Sequence, residues 1–480
     1  MNTNEIVQKL WNLCNILKDD GITYHQYVTE LTQLVFLKMA EETKQEQRLP
    51  KDCRWKNLRG KEGATLAHDY RAMLVELGDA KDKLVAAIYA NAHTNIREPK
   101  HLTQLVDDID GIDWYGKSRE DLGDMYEGLL QKNATETKSG AGQYFTPRPL
   151  IECMVELMKP KHNEVIQDPA AGTGGFLINA FVYIKKHTGD LFELSEAEQN
   201  FVMKKAFHGV ELVPDTQRLG LMNCMLHGLE GVIALGNSLG ADGENLPKAD
   251  LILTNPPFGT KRGGGLPTRT DFTYPTANKQ LAFLQHVYRG LKPGGRAAVV
   301  LPDNVLFEGN VGKQIREDLM NKCDLHTILR LPTGIFYAQG VKTNVLFFTR
   351  GKTDNNNTKN VWVYDLRANM PSYGKKTPLM REHFVEFEKA FGRDPLGKSK
   401  RKDQGEEGRF RCFSREYVNE RGDSLDIAWL RDESEGNGDE LPEPAVLARE
   451  AMVELESAIE DLRGILVELG EADAADEVAA

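Results

Sequence analysis

Between about residues 160 and 350 the chain alternates short apolar runs with stretches of helical period, and this alternation restricts the fold more than any other feature. The runs are VIQDP (165–169), HGVEL (208–212), GVIALGN (231–237), ADLILTNPP (249–257), RAAVVLP (296–302), LHTILRLP (325–332) and TNVLFFTR (343–350). Helical patterns separate most of them, such as FLINAFVYIKKH after the first and KQLAFLQHVYRGL before the fifth. Strand–helix alternation predicts an α/β fold: a doubly wound, mostly parallel sheet, here of seven strands, with helices on both faces. The last two runs are close in sequence, which suits an antiparallel pair better than a crossover.

The flanks read differently. Residues 1–135 are expected to form a helical domain, since Val28, Leu31, Leu34, Val35 and Met39 recur at helical spacing, as do Leu122, Met125, Tyr126, Leu129 and Leu130. The sheet domain is expected over 136–375, opening with the turn-rich KSGAG at 138–142. Residues 376–440 read as an irregular charged region, with KSKRK (398–402) solvated. Over 441–472, Ala445, Ala448, Met452, Leu455, Ile459, Leu462, Leu466 and Leu469 step by threes and fours, a heptad seam that predicts a helix packed lengthwise on another helix.

Three features carry chemistry. Asp168-Pro-Ala-Ala-Gly-Thr-Gly-Gly-Phe176 follows the first strand and opens a helix, and Gly172, Gly174 and Gly175 let the backbone turn tightly against a ligand. Glu211 closes the second strand, where a carboxylate can accept both hydroxyls of a ribose; a solvated strand-end Glu is the plainer alternative. No GxxxxGK[ST] occurs, which disfavours a nucleoside triphosphate. Asn255-Pro256-Pro257-Phe258 ends the fourth strand. Two prolines freeze extended backbone. The Asn255 amide oxygen and the Pro256 carbonyl can then receive both hydrogens of an exocyclic amino group, freeing its lone pair to attack an electrophilic methyl, with Phe258 stacking on the base.

Composition limits the partners. The chain has 480 residues, 40% of them hydrophobic, enough for more than one core. Net charge is −12 and the pI about 5.5, so DNA affinity, which needs clustered Lys and Arg, is expected to come largely from another chain. Six scattered cysteines without a CxxC, and no HExxH, point to a reducing, cytoplasmic setting without disulfides or a metal site. No apolar stretch reaches about 18 residues, so no membrane association is expected, and the N-terminus does not look like a targeting signal.

The order DPAAGTGGF, acidic strand end, NPPF resembles the S-adenosylmethionine-dependent amino-methyltransferases, and GQYFTPRPLIECMVEL (142–157) resembles the cofactor motif of the adenine-N6 group. With its helical N-terminal domain and helical tail, the chain resembles along nearly its full length the methylation subunit of type I restriction–modification systems. That resemblance implies methyl transfer from S-adenosylmethionine to N6 of adenine in double-stranded DNA, after the base is flipped out of the stack. It implies that Gln143, Tyr144, Phe145, Thr146, Pro147 and Arg148 line the methionine end of the cofactor. Asp168, Gly172, Thr173, Gly174 and Gly175 would cradle it, Glu211 would hold its ribose, and Asn237 would reach its adenine. It also implies a separate specificity subunit, which the heptad helix contacts, a second copy of the methylation subunit, and motor-nuclease subunits that can be added. Phe336 or Tyr337 is a candidate second stacking face, with core packing an equal alternative. Lys261, Arg262 and Arg269 could contact phosphates beside the flipped base, or belong to a solvated loop. Two competing functions stay open at this point: methylation of a protein glutamine amide, and a non-catalytic assembly role.

Overall fold

All seven apolar runs fold as strands: β1 Ile166–Asp168, β2 Phe207–Glu211, β3 Ile233–Leu235, β4 Ala249–Thr254, β5 Leu291–Pro302, β6 Cys323–Arg330 and β7 Thr343–Arg350. Two more follow, β8 Asn360–Asp365 and β9 Phe410–Ser414. The structure, a computed structural model, describes residues 3–18, 24–114, 119–136, 145–259, 266–336, 341–374 and 377–430, and beyond them Ala445, Ala448, Arg449, Met452, Val453, Leu455 and Ile459. The chain divides into two compact units. The first holds Met1–Phe145, Gly172–Gly174 and Val213–Leu235, and the second holds Thr146–Ala171, Gly175–Leu212 and Gly236–Ala480.

Among its described residues the first unit is built of helices and the strand β3. The residues singled out by helical spacing, from Val28 to Met39 and from Leu122 to Leu130, are buried. They lie on the helices Tyr24–Glu42 and Arg119–Glu136, and the helix Pro214–Leu226 packs against both. That last helix is buried at every position from Gln217 to Leu226, as an element surrounded by other helices must be. Glu30 lies wholly buried and accepts from the Thr94 hydroxyl and the Asn95 amide, which ties the loop before the helix Pro99–Asp110 to the core. Among the described residues Asp124, Glu127 and His227 bring a potential ligand atom each within 4.8 Å of one another. The hundred residues between them hide the trio from sequence reading.

In the second unit the strand order is β2-β1-β4-β5-β7-β6-β8-β9. β2, β1, β4 and β5 pair in parallel, while β7 runs antiparallel to both β5 and β6. The antiparallel final pair expected from sequence is therefore present, with β7 inserted between β5 and β6. The helices Lys279–Gly290 and Asn310–Lys322 bury Leu281, Leu284, Val287, Ile315 and Leu319 against Ile252, Ala297, Val299 and Leu301. Ala298 and Val300, alternating with these along β5, are equally buried, as a strand covered on both faces requires. The helices Arg148–Met158 and Gly175–Lys186 also pack on this sheet.

Among the described residues two strands stand beyond the expected seven, and the stretch read as irregular is only partly so. β8 pairs parallel with β6, and β9 closes the sheet antiparallel to β8, with Trp362 and Phe410 stacked at 4.8 Å. β9 is five residues long and lies beyond a charged run, so no local pattern marks it. Within that run Arg401 is not simply solvated. Its guanidinium sits over the Phe391 ring and donates to the carbonyls of Phe391 and His326, and burial draws it down to about 10. Among the described residues no helix is long and apolar enough to cross a membrane.

Candidate active site

β1 lies between β2 and β4 in parallel register, Asp168 opposite Gly209 and Gln167 opposite Ile252. The carboxyl ends of three neighbouring strands therefore present Asp168, Glu211 and Asn255 together, at the edge where doubly wound sheets hold ligands. The connections are tied there as well. The Ala171 amide donates to Val210 O and the Gly236 amide to Glu211 O, both at 2.9 Å. The Ser238 hydroxyl donates to Pro169 O at 2.5 Å.

Asp168 is 1% exposed and accepts from the Ala170 amide at 3.1 Å. Burial pushes its carboxyl up to about 7, the negative Glu211 adds to the rise, and the Thr254 hydroxyl and Ala170 amide oppose it. A raised carboxyl binds more protons in the folded state than in the unfolded one, so its contribution to stability is present at low pH and is lost as pH rises through about 7. The ligand-free protein is accordingly expected to lose stability between about pH 4 and 7 relative to Asp168→Asn, whose amide does not titrate. Parallel pH–stability curves for the two proteins in urea would overturn this.

Gly172 and Gly174 adopt φ of +54° and +83°, the left-handed region that favours glycine. Within the same unit, Asn223 donates from Nδ2 to Thr173 O at 2.9 Å. A Cβ on Gly220 would come within 2.7 Å of Gly172 O, so the helix Pro214–Leu226 passes directly against the turn. Asn223 and Gly220 escaped the sequence reading because neither belongs to a local motif. Gly175 opens the helix Gly175–Lys186. Asn237 is exposed, and its Oδ1 accepts from the Leu239 amide at 3.0 Å, an Asx turn that holds the carboxamide.

Asn255 is buried, and its Nδ2 donates to Thr146 Oγ1 at 2.9 Å. Pro256 is buried as well, while Pro257 and Phe258 are half-buried. Beyond them the Gly259 amide donates to Gln280 Oε1 at 3.0 Å, and the Lys279 amide donates to Gly259 O at 3.3 Å. Both ends of Asn-Pro-Pro-Phe-Gly are thus pinned by residues far away in sequence, a second thing the motif alone did not reveal.

Phe336 is buried and meets Phe258 edge-on, centroids 6.2 Å apart at 76°. The Phe336 ring thus packs on the edge of the residue expected to stack on the base. Arg269 departs from its expected role. Its guanidinium, 3% exposed, makes two 2.7 Å bonds to the Asp271 carboxylate and donates to Ser238 O and to His286 Nδ1. Burial, reinforced by Arg269, lowers His286 to about 3, so it stays neutral and accepts. Arg269 braces the turn after β3 and is not offered to phosphate. Arg148 pairs with Glu152 along its own helix, and Phe145 is half-buried in the first unit. Gln143, Tyr144, Lys261, Arg262 and Tyr337 lie outside the described residues.

The N-6 DNA methylase family matches residues 117–428. It is flanked by an HsdM N-terminal domain over 6–109 and, over 441–480, by the C-terminal domain of type I restriction enzyme methylase subunits. The methylase subunit of the type I restriction enzyme EcoKI from Escherichia coli K12 is 55% identical, across 99% of this chain and 97% of its own length. The chain belongs to the methylase subunits of type I restriction enzymes. The StySPI methylase subunit of Salmonella potsdam is 54% identical over the same shares. The crystal structure of the EcoKI M protein covers 98% of both chains at 49% identity and a TM-score of 0.59. A further chain, from work on complex assembly in a type I system, aligns at a TM-score of 0.73 and 26% identity over 98% of this chain and 99% of its own. This methylase subunit is an N6-adenine DNA methyltransferase, which removes the protein-glutamine and non-catalytic alternatives.

Proposed function

We propose that this protein takes its methyl group from S-adenosylmethionine, and that Asn255 and Pro256 drive the transfer while a separate specificity subunit selects the sequence. The observation that carries the reading is Asn255, buried and hydrogen-bonded at the end of β4, beside the β1 end that bears Asp168. The residues fit the cofactor: two glycines with positive φ open the backbone after β1, and a buried carboxyl and Glu211 stand at adjacent strand ends. Asp168, Gly172, Thr173, Gly174, Gly175, Glu211 and Asn237 would hold it, with Thr146, Pro147 and Arg148. When bound it supplies a methyl on a sulfonium, whose C–S electron pair leaves with sulfur as a neutral thioether.

The residues of the chain do the rest. The N6 lone pair of adenine is delocalised into the ring, so the amino group is a poor nucleophile. Asn255 Oδ1 and the Pro256 carbonyl accept its two hydrogens and draw the nitrogen toward tetrahedral geometry, with the lone pair directed at the methyl carbon. Fixed acceptors of this kind stabilise the positive charge that develops on nitrogen without reorganising. As the new N–C bond forms, one of the two protons leaves to water. Phe258, braced edge-on by Phe336, would stack on the extruded adenine and offset part of the few kcal/mol that flipping costs.

The partners we infer are double-stranded DNA, the specificity subunit, a second methylase subunit and motor-nuclease subunits. A net charge of −12 supports sharing the DNA contacts with another chain. The test is transfer of labelled methyl from S-adenosylmethionine to genomic DNA, with the chain alone and with the specificity subunit encoded beside it. Label on N6-adenine only with the partner present is expected. Label with the chain alone would place recognition in this sequence and overturn the division of labour.

A further inference from the structure

We propose that Thr146 is a positioning residue for the catalytic amide: its hydroxyl holds the plane of the Asn255 carboxamide with Nδ2 on the Thr146 side, leaving the oxygen to meet the target amino group. The inference rests on the role given to Asn255 above and goes beyond it. A carboxamide is nearly symmetric in shape but not in hydrogen bonding, since one end accepts and the other donates. Turned over, Asn255 would present its NH2 to an amino group, donor to donor, and the lone pair of the nucleophile would not be released.

The observed bond runs from Asn255 Nδ2 to Thr146 Oγ1 at 2.9 Å, across 109 positions of sequence. In this arrangement the nitrogen lies on the Thr146 side and the oxygen on the other, with the hydroxyl as acceptor. Both partners stand on stiff backbone. Asn255 leads into two prolines, and Thr146 precedes Pro147, which caps the helix Arg148–Met158 at φ −57° and ψ 132°. A residue before proline is confined to extended conformations, so Oγ1 has little freedom to follow a rotating amide. The helix is buried along Leu150, Ile151, Met154, Val155 and Met158, and it packs on β4 and β5. Thr146 is thus tied to the same sheet that presents Asn255.

The experiment uses the complex with the specificity subunit, in single-turnover methyl transfer at saturating DNA and S-adenosylmethionine. Thr146→Val keeps the β-branched shape and removes the hydroxyl. Its rate constant is expected to fall roughly ten- to a hundredfold, the range for a lost hydrogen bond to a group acting in the transition state. The fluorescence of a flipped 2-aminopurine at the target is expected to stay within about threefold. Because Thr146 also stands among the residues that would hold the cofactor, S-adenosylmethionine is kept saturating for each variant, so that a weaker affinity does not itself lower the rate. Thr146→Ser, which restores the hydroxyl, should recover most of the rate. Thr146→Ala makes the same test if the valine variant misfolds. A full rate in Thr146→Val at saturating S-adenosylmethionine, a serine variant as impaired as the valine one, or a loss that disappears when S-adenosylmethionine is raised would each overturn the proposal. Asn255→Ala in the same assay separates the two readings. If it too is active, the role of Asn255 fails; if it is inactive while Thr146→Val is normal, only Thr146 is misassigned.

Discussion

Asn255→Ala is expected to lower the rate of methyl transfer by about a thousandfold or more, at unchanged cofactor affinity and with the fold intact. The side chain is truncated at a point where only the transition state makes use of it, so kcat and kcat/KM should fall together. A thousandfold corresponds to ~4 kcal/mol of barrier, at 1.36 kcal/mol per tenfold. The backbone carbonyl of Pro256 remains, so one acceptor of the two survives, and the loss is not expected to reach the uncatalysed rate. The fold should tolerate the change, because β4 is fastened to β1 and β5 through its backbone and not through this side chain. The measurement is single-turnover transfer of labelled methyl to DNA beside equilibrium binding of S-adenosylmethionine. A near-normal rate would mean that the amino group is activated elsewhere.

Ending the chain before Pro442 is expected to abolish co-purification with the specificity subunit while leaving the sheet unit as stable as before. The heptad positions that are described, Ala445, Ala448, Met452, Leu455 and Ile459, are all exposed, with Met452 at 59%, Leu455 at 60% and Ile459 at 38%. Side chains that exposed contribute little burial to this chain's own fold, so their removal should cost it little. Buried in a partner, each large one would contribute ~1.5–3 kcal/mol, and three together amount to more than a thousandfold in affinity before the cost of ordering the helix. Co-purification and thermal unfolding of the truncated chain measure the two halves of this expectation. A truncated chain that still brings down its partner in full yield would rule out the seam as the contact. A large fall in melting temperature would show that the helix docks on its own domain instead.

The helical trio Asp124, Glu127 and His227 shows where sequence reading runs out. Spacing rules detect groups that share one helix or one loop, and His227 lies at the end of a helix that follows β2. The same limit applies to Asn223, which donates to the Thr173 carbonyl of the glycine turn, to Gln280, which pins Gly259, and to the bond between Thr146 and Asn255, though Thr146 itself is expected at the cofactor. Each is an ordinary residue whose function comes from what it touches. Arg269 errs in the opposite direction. In the sequence it is a cation in a glycine-rich loop beside the motif, and only the fold brings Asp271 and the Ser238 carbonyl around it.

Some things follow from the sequence without the fold. Apolar runs of strand length alternating with helical patterns leave few architectures other than a mostly parallel sheet covered on both faces. Prolines and glycines at strand ends specify backbone conformation locally, so Asp168, the glycine turn and Asn255 could be placed before any contact was known. Tertiary structure alone decided the rest: that β7 inserts between β5 and β6, that β8 and β9 extend the sheet, and that Thr146 holds the Asn255 amide. The physical reason is the range of the forces involved. Backbone sterics and the periodicity of burial act over a few residues and are written into composition and spacing. Hydrogen bonds between side chains form wherever packing brings donor and acceptor within about 3 Å, and 109 residues of intervening chain carry no trace of that meeting.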